Sequence, residues 1–216
     1  ITVQSAGLKV GTRSVTASAR QRSPDVLDLN FEKTFPKGQG ELTISFVGKI
    51  EDKDSQGLFR QQEGGDWYAF TQFESISARQ AFPSFDEPGW KVPWTLSLTI
   101  PQTMTAVASA PMAREVILEH GRKRVEFQTT KPLPSYLLAF GVGPFDILDG
   151  GMAGQTPVRF ITPRGRAKDA SFAASVTPSI LTKLEAYFGM PYPYEKLDVM
   201  ALPITLGFSA MENPGL

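Results

Sequence analysis

The feature that most restricts how this chain can fold is a change of hydrophobic period along it. In the first two thirds apolar and polar residues alternate. Leu27, Leu29 and Phe31 stand against Asp28, Asn30 and Glu32, and the pattern recurs at Leu42, Ile44 and Phe46. It returns at Trp94, Leu96, Leu98 and Ile100 against Thr95, Ser97 and Thr99, and again at Val125 and Phe127. Residues two apart share one side of an extended chain, so each run predicts a strand with one buried face. Pro36-Lys37-Gly38 and His120-Gly121 supply turns between the runs, and 19 Gly with 17 Pro suit a chain that reverses often. Residues 136–142 read as a late, fully buried strand. Many short antiparallel strands predict a mostly β, sandwich-like domain over residues 1–150.

Near residue 150 the period changes. Asp149-Gly150-Gly151-Met152-Ala153-Gly154 reads as a linker, and a short strand follows at 158–161. Phe172, Val176, Ile180, Leu184 and Phe188 then recur every four residues, which predicts a helix with an apolar stripe over about 168–188. Thr177-Pro178 resembles an N-cap with Pro at the first helical position, leaving open one kinked helix or two. Gly189 stops the helix and Pro191 and Pro193 follow. Residues 197–202 read as a further strand.

Composition excludes several functions. Lys plus Arg and Asp plus Glu number 22 each, so net charge supplies no attraction to nucleic acid or to an anionic membrane. The absence of cysteine removes disulfides, thiolate catalysis and cysteine zinc sites. The longest apolar stretch, residues 136–145, is interrupted by Gly141, Gly143 and Pro144 and is shorter than the roughly 18 residues of a membrane-spanning helix. Because the chain opens at Ile1 and stops at Leu216 just after a compact acidic motif, it reads as a piece of a longer polypeptide.

Three clusters stand above this background. In Trp67-Tyr68-Ala69-Phe70-Thr71-Gln72-Phe73-Glu74, period two puts Tyr68, Phe70, Gln72 and Glu74 on one face, either as a ligand wall or as a strand leaving the core for solvent. The segment from Arg79 to Pro88, with Asp86-Glu87, reads as a structural turn in which Arg79 pairs with Asp86, since carboxylates adjacent in sequence on a turn seldom converge on one substrate atom. Gly207-Phe208-Ser209-Ala210-Met211 misses the nucleophile elbow, because Met211 stands where that motif needs a small residue. The single histidine, His120, precedes the serine rather than following it. Without cysteine or a second histidine it builds no zinc site of three or four protein ligands.

Ser209-Ala210-Met211-Glu212-Asn213 resembles the G-x-M-E-N exopeptidase motif, with Ser209 in place of the Gly. Upstream, the run from Tyr187-Phe188-Gly189 through Pro191-Tyr192-Pro193 to Lys196 and Asp198 resembles Y-F-G-x-P-Y-P-x-x-K-x-D. Arg79 through Pro88 resembles A-R-x-x-F-P-x-x-D-E-P, and Gln72 with Glu74 stand where a Q-x-E pair is expected. These four motifs, in their order along the chain, are similar to those of the zinc aminopeptidases of the aminopeptidase N and leukotriene hydrolase type. The resemblance implies a saddle-like, antiparallel β-sandwich N-terminal domain. Residues 151–216 would then be the first α/β part of a thermolysin-like catalytic domain.

It further implies a zinc ion in the whole protein, bound by an H-E-x-x-H motif and a later Glu outside this sequence, with no metal ligand or catalytic residue within it. The implied substrates are peptides with a free N-terminus. Glu212 and Glu74 would anchor the α-ammonium. The backbone at Ser209 and Ala210 would line the peptide main chain, Phe208 and Met211 would shape the neighbouring pocket, Gln72 would sit near the first side chain, and Asn213 completes the motif. The physical logic is independent of the resemblance. Charge-assisted hydrogen bonds of about 1.5–3 kcal/mol each recognise a terminal cation, and two of them hold the scissile bond at a set distance from the reacting centre. The rival expectation is a non-catalytic β-sandwich interaction module. It would show Trp67, Tyr68 and Phe70 exposed together, whereas a peptidase would gather Gln72, Glu74 and Glu212.

Overall fold

Alternating segments become strands in a computed structural model that describes residues 1–205, 207 and 209–216. Strands β1 (Thr2–Val10), β2 (Arg13–Ser23), β3 (Val26–Phe31) and β4 (Glu41–Val47) make an antiparallel sheet in the order β3-β2-β1-β4. Ala6 and Ala17 face each other across β1 and β2 and are buried there. Leu27, Leu29 and Phe31 are half-buried, as expected of strands with one covered face.

The remaining strands stack in three layers. One sheet joins β7 (Ser97–Pro101), β9 (Met112–Leu118) and β10 (Arg122–Phe127) in the order β7-β10-β9. The middle sheet joins β5 (Gly57–Glu63), β6 (Asp66–Gln72), β8 (Thr105–Ala108) and β11 (Phe140–Gly143) in the order β5-β6-β11-β8. The third contains β12 (Phe145–Ala153), β13 (Thr156–Pro163) and β14 (Leu197–Met200), with β13 and β14 parallel. Parallel neighbours need a crossover connection, and the helix α1 (Ser171–Phe188) lies in that connection.

Period two decides how the layers meet. Ala106 and Ala108 of β8, with Phe140 and Val142 of β11, pack on Ile100, Val125 and Phe127 of the outer sheet. Their neighbour Val107 points the other way and joins Phe59, Tyr68 and Phe70 against Phe145 and Ile161 of the third sheet. At β8 and β11 the middle sheet is therefore covered on both faces, whereas Arg60 of β5 and Trp67 of β6 stay exposed on the outer one. Each fully buried Phe or Ile contributes about 1.5–3 kcal/mol. Beyond the third sheet, Ala153, Val158 and Phe160 receive Leu181 of α1.

The mostly β architecture expected from the sequence is the one observed, with four local differences. Residues 136–142 do not form one strand: Ser135–Leu137 is a 3-10 turn and only Phe140–Gly143 pairs, because Ser135 Oγ is committed to the buried Asp86. Trp94 lies ahead of β7. Its backbone N–H donates to Thr130 Oγ1 at 3.0 Å and its indole N–H to the Leu133 carbonyl at 2.9 Å. Gly150 and Gly151 form no linker, since they sit inside β12 where the register on β13 shifts between Asp149 and Met152.

The fourth difference concerns α1. It is one helix with Pro178 inside it, and the Thr177 hydroxyl donates back to the Ala173 carbonyl at 2.8 Å instead of capping a new start. Gly189, at φ 68°, closes it in the left-handed conformation. Leu181 is 8% exposed, whereas Phe172, Leu184 and Phe188 are 79%, 46% and 67% exposed. With 3.6 residues per turn, a four-residue repeat drifts about 40° per step, so the five-residue stripe winds around the helix instead of marking its buried side. Small residues, Ala173 and Ala174, bring α1 close enough for Leu181 to reach Phe160. Leu181→Ala should therefore lower stability by about 2–5 kcal/mol, and Leu184→Ala by less than about 0.5 kcal/mol, measured by chemical denaturation. Equal losses would contradict this placement of the helix.

Candidate functional site

Gln72 is the last residue of β6 and shares its face with Tyr68 and Phe70. Both aromatics are buried in the core facing the third sheet, so they form no ligand wall. Gln72 itself, 6% exposed, ends that face and uses both ends of its amide. Its Oε1 accepts the Glu74 N–H at 3.0 Å, and its Nε2 donates to Met211 Sδ at 3.1 Å. This contact joins two motif segments that lie 139 residues apart in the chain.

Glu74 does not continue the strand. Phe73 turns into a separate cluster with Ala78 and Leu138, which ends the alternation and leaves Glu74 in an exposed turn. The following segment is pinned by Asp86, a fully buried carboxylate. Asp86 accepts the Arg79 backbone N–H at 2.9 Å, the Arg79 Nε at 3.1 Å and the Ser135 hydroxyl at 2.5 Å. Arg79 also lies 3.4 Å from Glu87 and 3.7 Å from Asp25 in the β2–β3 turn. Here the structural reading of the sequence is correct: Arg79 and Asp86 pair.

The second motif segment follows β14. Ser209, Ala210 and Glu212 are exposed, and Met211 and Asn213 are half-buried; Phe208 lies outside the described residues. Asn213-Pro214-Gly215-Leu216 closes as a turn, with the Leu216 N–H 3.4 Å from the Asn213 carbonyl and Gly215 at φ 75°. Pro at the second position and Gly at the third are what a type II turn requires. Any Cβ at position 215 would also collide with the Ser109 carbonyl oxygen.

This turn is held from outside. The Gly215 N–H donates to Tyr192 Oη at 3.0 Å. Its carbonyl accepts the Asp198 N–H at 3.1 Å and Lys196 Nζ at 2.5 Å. Lys196 Nζ lies 2.8 Å from Asp198, which is also gripped by Arg159 through two bonds of 2.8 and 2.7 Å. Burial pushes the Lys196 ammonium pKa down, opposed by the Asp198 charge. The Asp198 hydrogen bond pushes the Arg159 pKa up. Leu216 then rests on the core containing Phe59, Tyr68 and Phe70.

Of the residues expected to form the site, Gln72 and Met211 are thus in direct contact. Glu74 and Glu212 are exposed, two positions and one position away from that contact respectively. Tyr192, Lys196, Asp198 and Gly215 were not read as site residues. Two signals for them exist in the sequence: Asn-Pro-Gly announces a turn, and Lys196 and Asp198 stand two apart where a strand begins. His120 is exposed in the β9–β10 turn, and among the described residues no three His, Cys, Asp or Glu side chains gather as a metal site. The donor set of a catalytic zinc, three protein ligands with one open position, is not assembled by these residues.

Comparison with known proteins follows the same outline. Residues 2–137 match the family model described as the peptidase M1 N-terminal domain. The chain is 34% identical over 198 residues to Aminopeptidase M1-B of Oryza sativa subsp. japonica, covering 89% of this chain and 22% of that relative. It is 33% identical over 213 residues to Aminopeptidase 2 of Candida albicans, covering 96% of this chain and 23% of the relative. Aminopeptidase N of Acetobacter pasteurianus is 31% identical over 226 residues, with 100% of this chain and 63% of the relative covered. The chain therefore spans under a quarter of the length of the first two relatives.

The geometry at Gly215 gives a direct check. Gly11 and Gly215 both have positive φ, but a Cβ at Gly11 would meet open space. Gly11→Ala should cost about 1–2 kcal/mol from left-handed strain alone. Gly215→Ala adds overpacking and should cost about 2–5 kcal/mol. If denaturant titrations gave the two variants the same midpoint, the turn would not be seated against Ser109.

Proposed function

The chain belongs to the peptidase M1 N-terminal domain family, and on that premise we propose that it is the amine-anchoring portion of a zinc-dependent aminopeptidase that removes N-terminal residues from peptides. The observation that carries this reading is the Gln72–Met211 contact. It draws the Q-x-E and M-E-N segments together, with Glu74 two residues and Glu212 one residue along the chain from it, both exposed.

Such an enzyme must recognise a free ammonium, and exposed carboxylates suit that task through charge-assisted hydrogen bonds. Holding the ammonium fixes the distance from the chain terminus to the first peptide bond, which is catalysis by positioning. On this proposal Ser209 and Ala210, exposed just ahead of Met211, run beside the substrate main chain. In this reading β1 to β11 form the substrate-facing β domain, and the strand–helix–strand unit that follows opens the catalytic domain. We place the division near Pro144 instead of at 150, since β12 pairs with β13. The zinc ligands of the whole enzyme lie outside the described residues. The interaction-module alternative loses its support, because Tyr68 and Phe70 are buried and Trp67 alone of the three is exposed, with the Arg60 guanidinium 4.6 Å above its ring.

Two measurements test the reading. The coding sequence beyond Leu216 should contain H-E-x-x-H followed by a further Glu, two histidines one helical turn apart with the intervening Glu as general base. A complete gene without it would sink the enzyme assignment. In the full-length enzyme, Glu212→Gln keeps size but removes charge. It should lower kcat/KM for a free-amine peptide by roughly 10- to 200-fold, the equivalent of about 1.5–3 kcal/mol. Turnover of the N-acetylated peptide should not fall by that factor. Equal losses on both substrates would remove Glu212 from the role of amine anchor.

A further inference from the structure

Lys196 is buried beside a carboxylate that has no need of it. Burying an ammonium is expensive unless the charge is matched and its protons are bonded. Asp198 already has a full counter-charge, since Arg159 donates to both of its oxygens at 2.8 and 2.7 Å. A second cation there adds nothing that one carboxylate requires, and an apolar side chain of similar length would fill the space at no electrostatic penalty. What the ammonium contributes besides its 2.8 Å contact with Asp198 is a charge-assisted bond to the Gly215 carbonyl.

That carbonyl belongs to a residue whose backbone N–H and C=O are both held by partners from outside the turn. Tyr192 Oη takes the Gly215 N–H, and the Asp198 N–H shares the Gly215 oxygen with Lys196. Tyr192 is itself held, because its own N–H donates to Glu185 at 2.7 Å. The segment from Met211 to Leu216 is thus fastened at both ends, by Gln72 on Met211 and by this grip on Gly215. Glu212 lies between the two fastenings, three residues from Gly215 with Pro214 stiffening the interval.

We propose that Lys196 and Tyr192 are positioning residues, clasping the Gly215 backbone so that Glu212 presents its carboxylate at one fixed place. The proposal rests on the amine-anchor reading for its functional consequence, but the clasp itself is testable separately.

In the complete enzyme, Lys196→Met leaves the Arg159–Asp198 pair in place and frees the Gly215 carbonyl. Hydrogen exchange of the 211–216 segment should then accelerate at least tenfold while β6 and β13 keep their protection. Unchanged exchange in that segment would overturn the clasp whatever the enzyme does. In kinetics, Lys196→Met should lower kcat/KM for the free-amine peptide at least tenfold, spare the N-acetylated peptide, and be partly rescued by Lys196→Arg. Introduced on top of Glu212→Gln, it should cost less than about a further threefold, the non-additivity expected of a residue acting through another. Full additivity, or equal losses on both substrates, would overturn the positioning role. If Glu212→Gln alone showed no preference for the free amine, the anchor reading would fail while the exchange result still decided the clasp. Should Lys196→Met fail to fold, Tyr192→Phe, which deletes one hydroxyl, carries the same measurements with the same outcomes.

Discussion

The covering of β8 and β11 on both faces, at the heart of the β5-β6-β11-β8 sheet, is the constraint from which the rest follows. A strand covered on one side needs apolar residues at every second position, but here both sets must be apolar or small. β8 and β11 meet the demand by alternation, with Ala106, Ala108, Phe140 and Val142 towards one neighbour and Val107, Gly141 and Gly143 towards the other. The glycines leave room for Met200 and Tyr68 on the side of the third sheet. β6 runs through this layer with Tyr68, Phe70 and Gln72 in register, so its core-facing row ends in an amide at the place where the C-terminal segment arrives. Gln72 meets Met211 because the sheet points it there.

The two loops that bear the candidate anchors are secured by the same physical device. Asp86 and Asp198 are the charged side chains most deeply buried in the molecule's described part, and each is held by an arginine and one further donor. A buried ion pair is weak evidence for stability, since desolvation offsets most of its attraction. Losing one partner is nevertheless costly, so such a pair strongly disfavours any arrangement in which the loop has moved. Arg79 and Ser135 place the segment after Glu74 by this means, and Arg159 and Lys196 place the segment containing Glu212.

Much of this is legible in the sequence. Local alternation set β3, β4 and β10, and the Pro-bounded acidic turn declared the Arg79–Asp86 pair through its composition. The failures have identifiable causes. Residues 136–142 look like one apolar strand, but Ser135 is claimed by a carboxylate 49 residues upstream, and no local pattern reports that. The apolar stripe on α1 has the spacing of a helix yet not its angle, so a reading by spacing alone puts Phe172 and Phe188 on one face while the helix turns them away from it. Gly150-Gly151 has the composition of a linker and the hydrogen bonds of a strand.

By itself the sequence determined the periods, the turns and the order of the motifs, because these depend on neighbours within a few residues, where backbone geometry allows few alternatives. It also carried the family resemblance, which the match over residues 2–137 bears out. Tertiary structure alone decided which motif residues touch. That Glu74 leaves the strand, that Gln72 reaches Met211, and that Lys196 spends its charge on a glycine carbonyl are consequences of contacts between residues 19 to 139 positions apart. Such contacts are selected by how whole layers pack, and the packing of a layer is a property of all its strands at once.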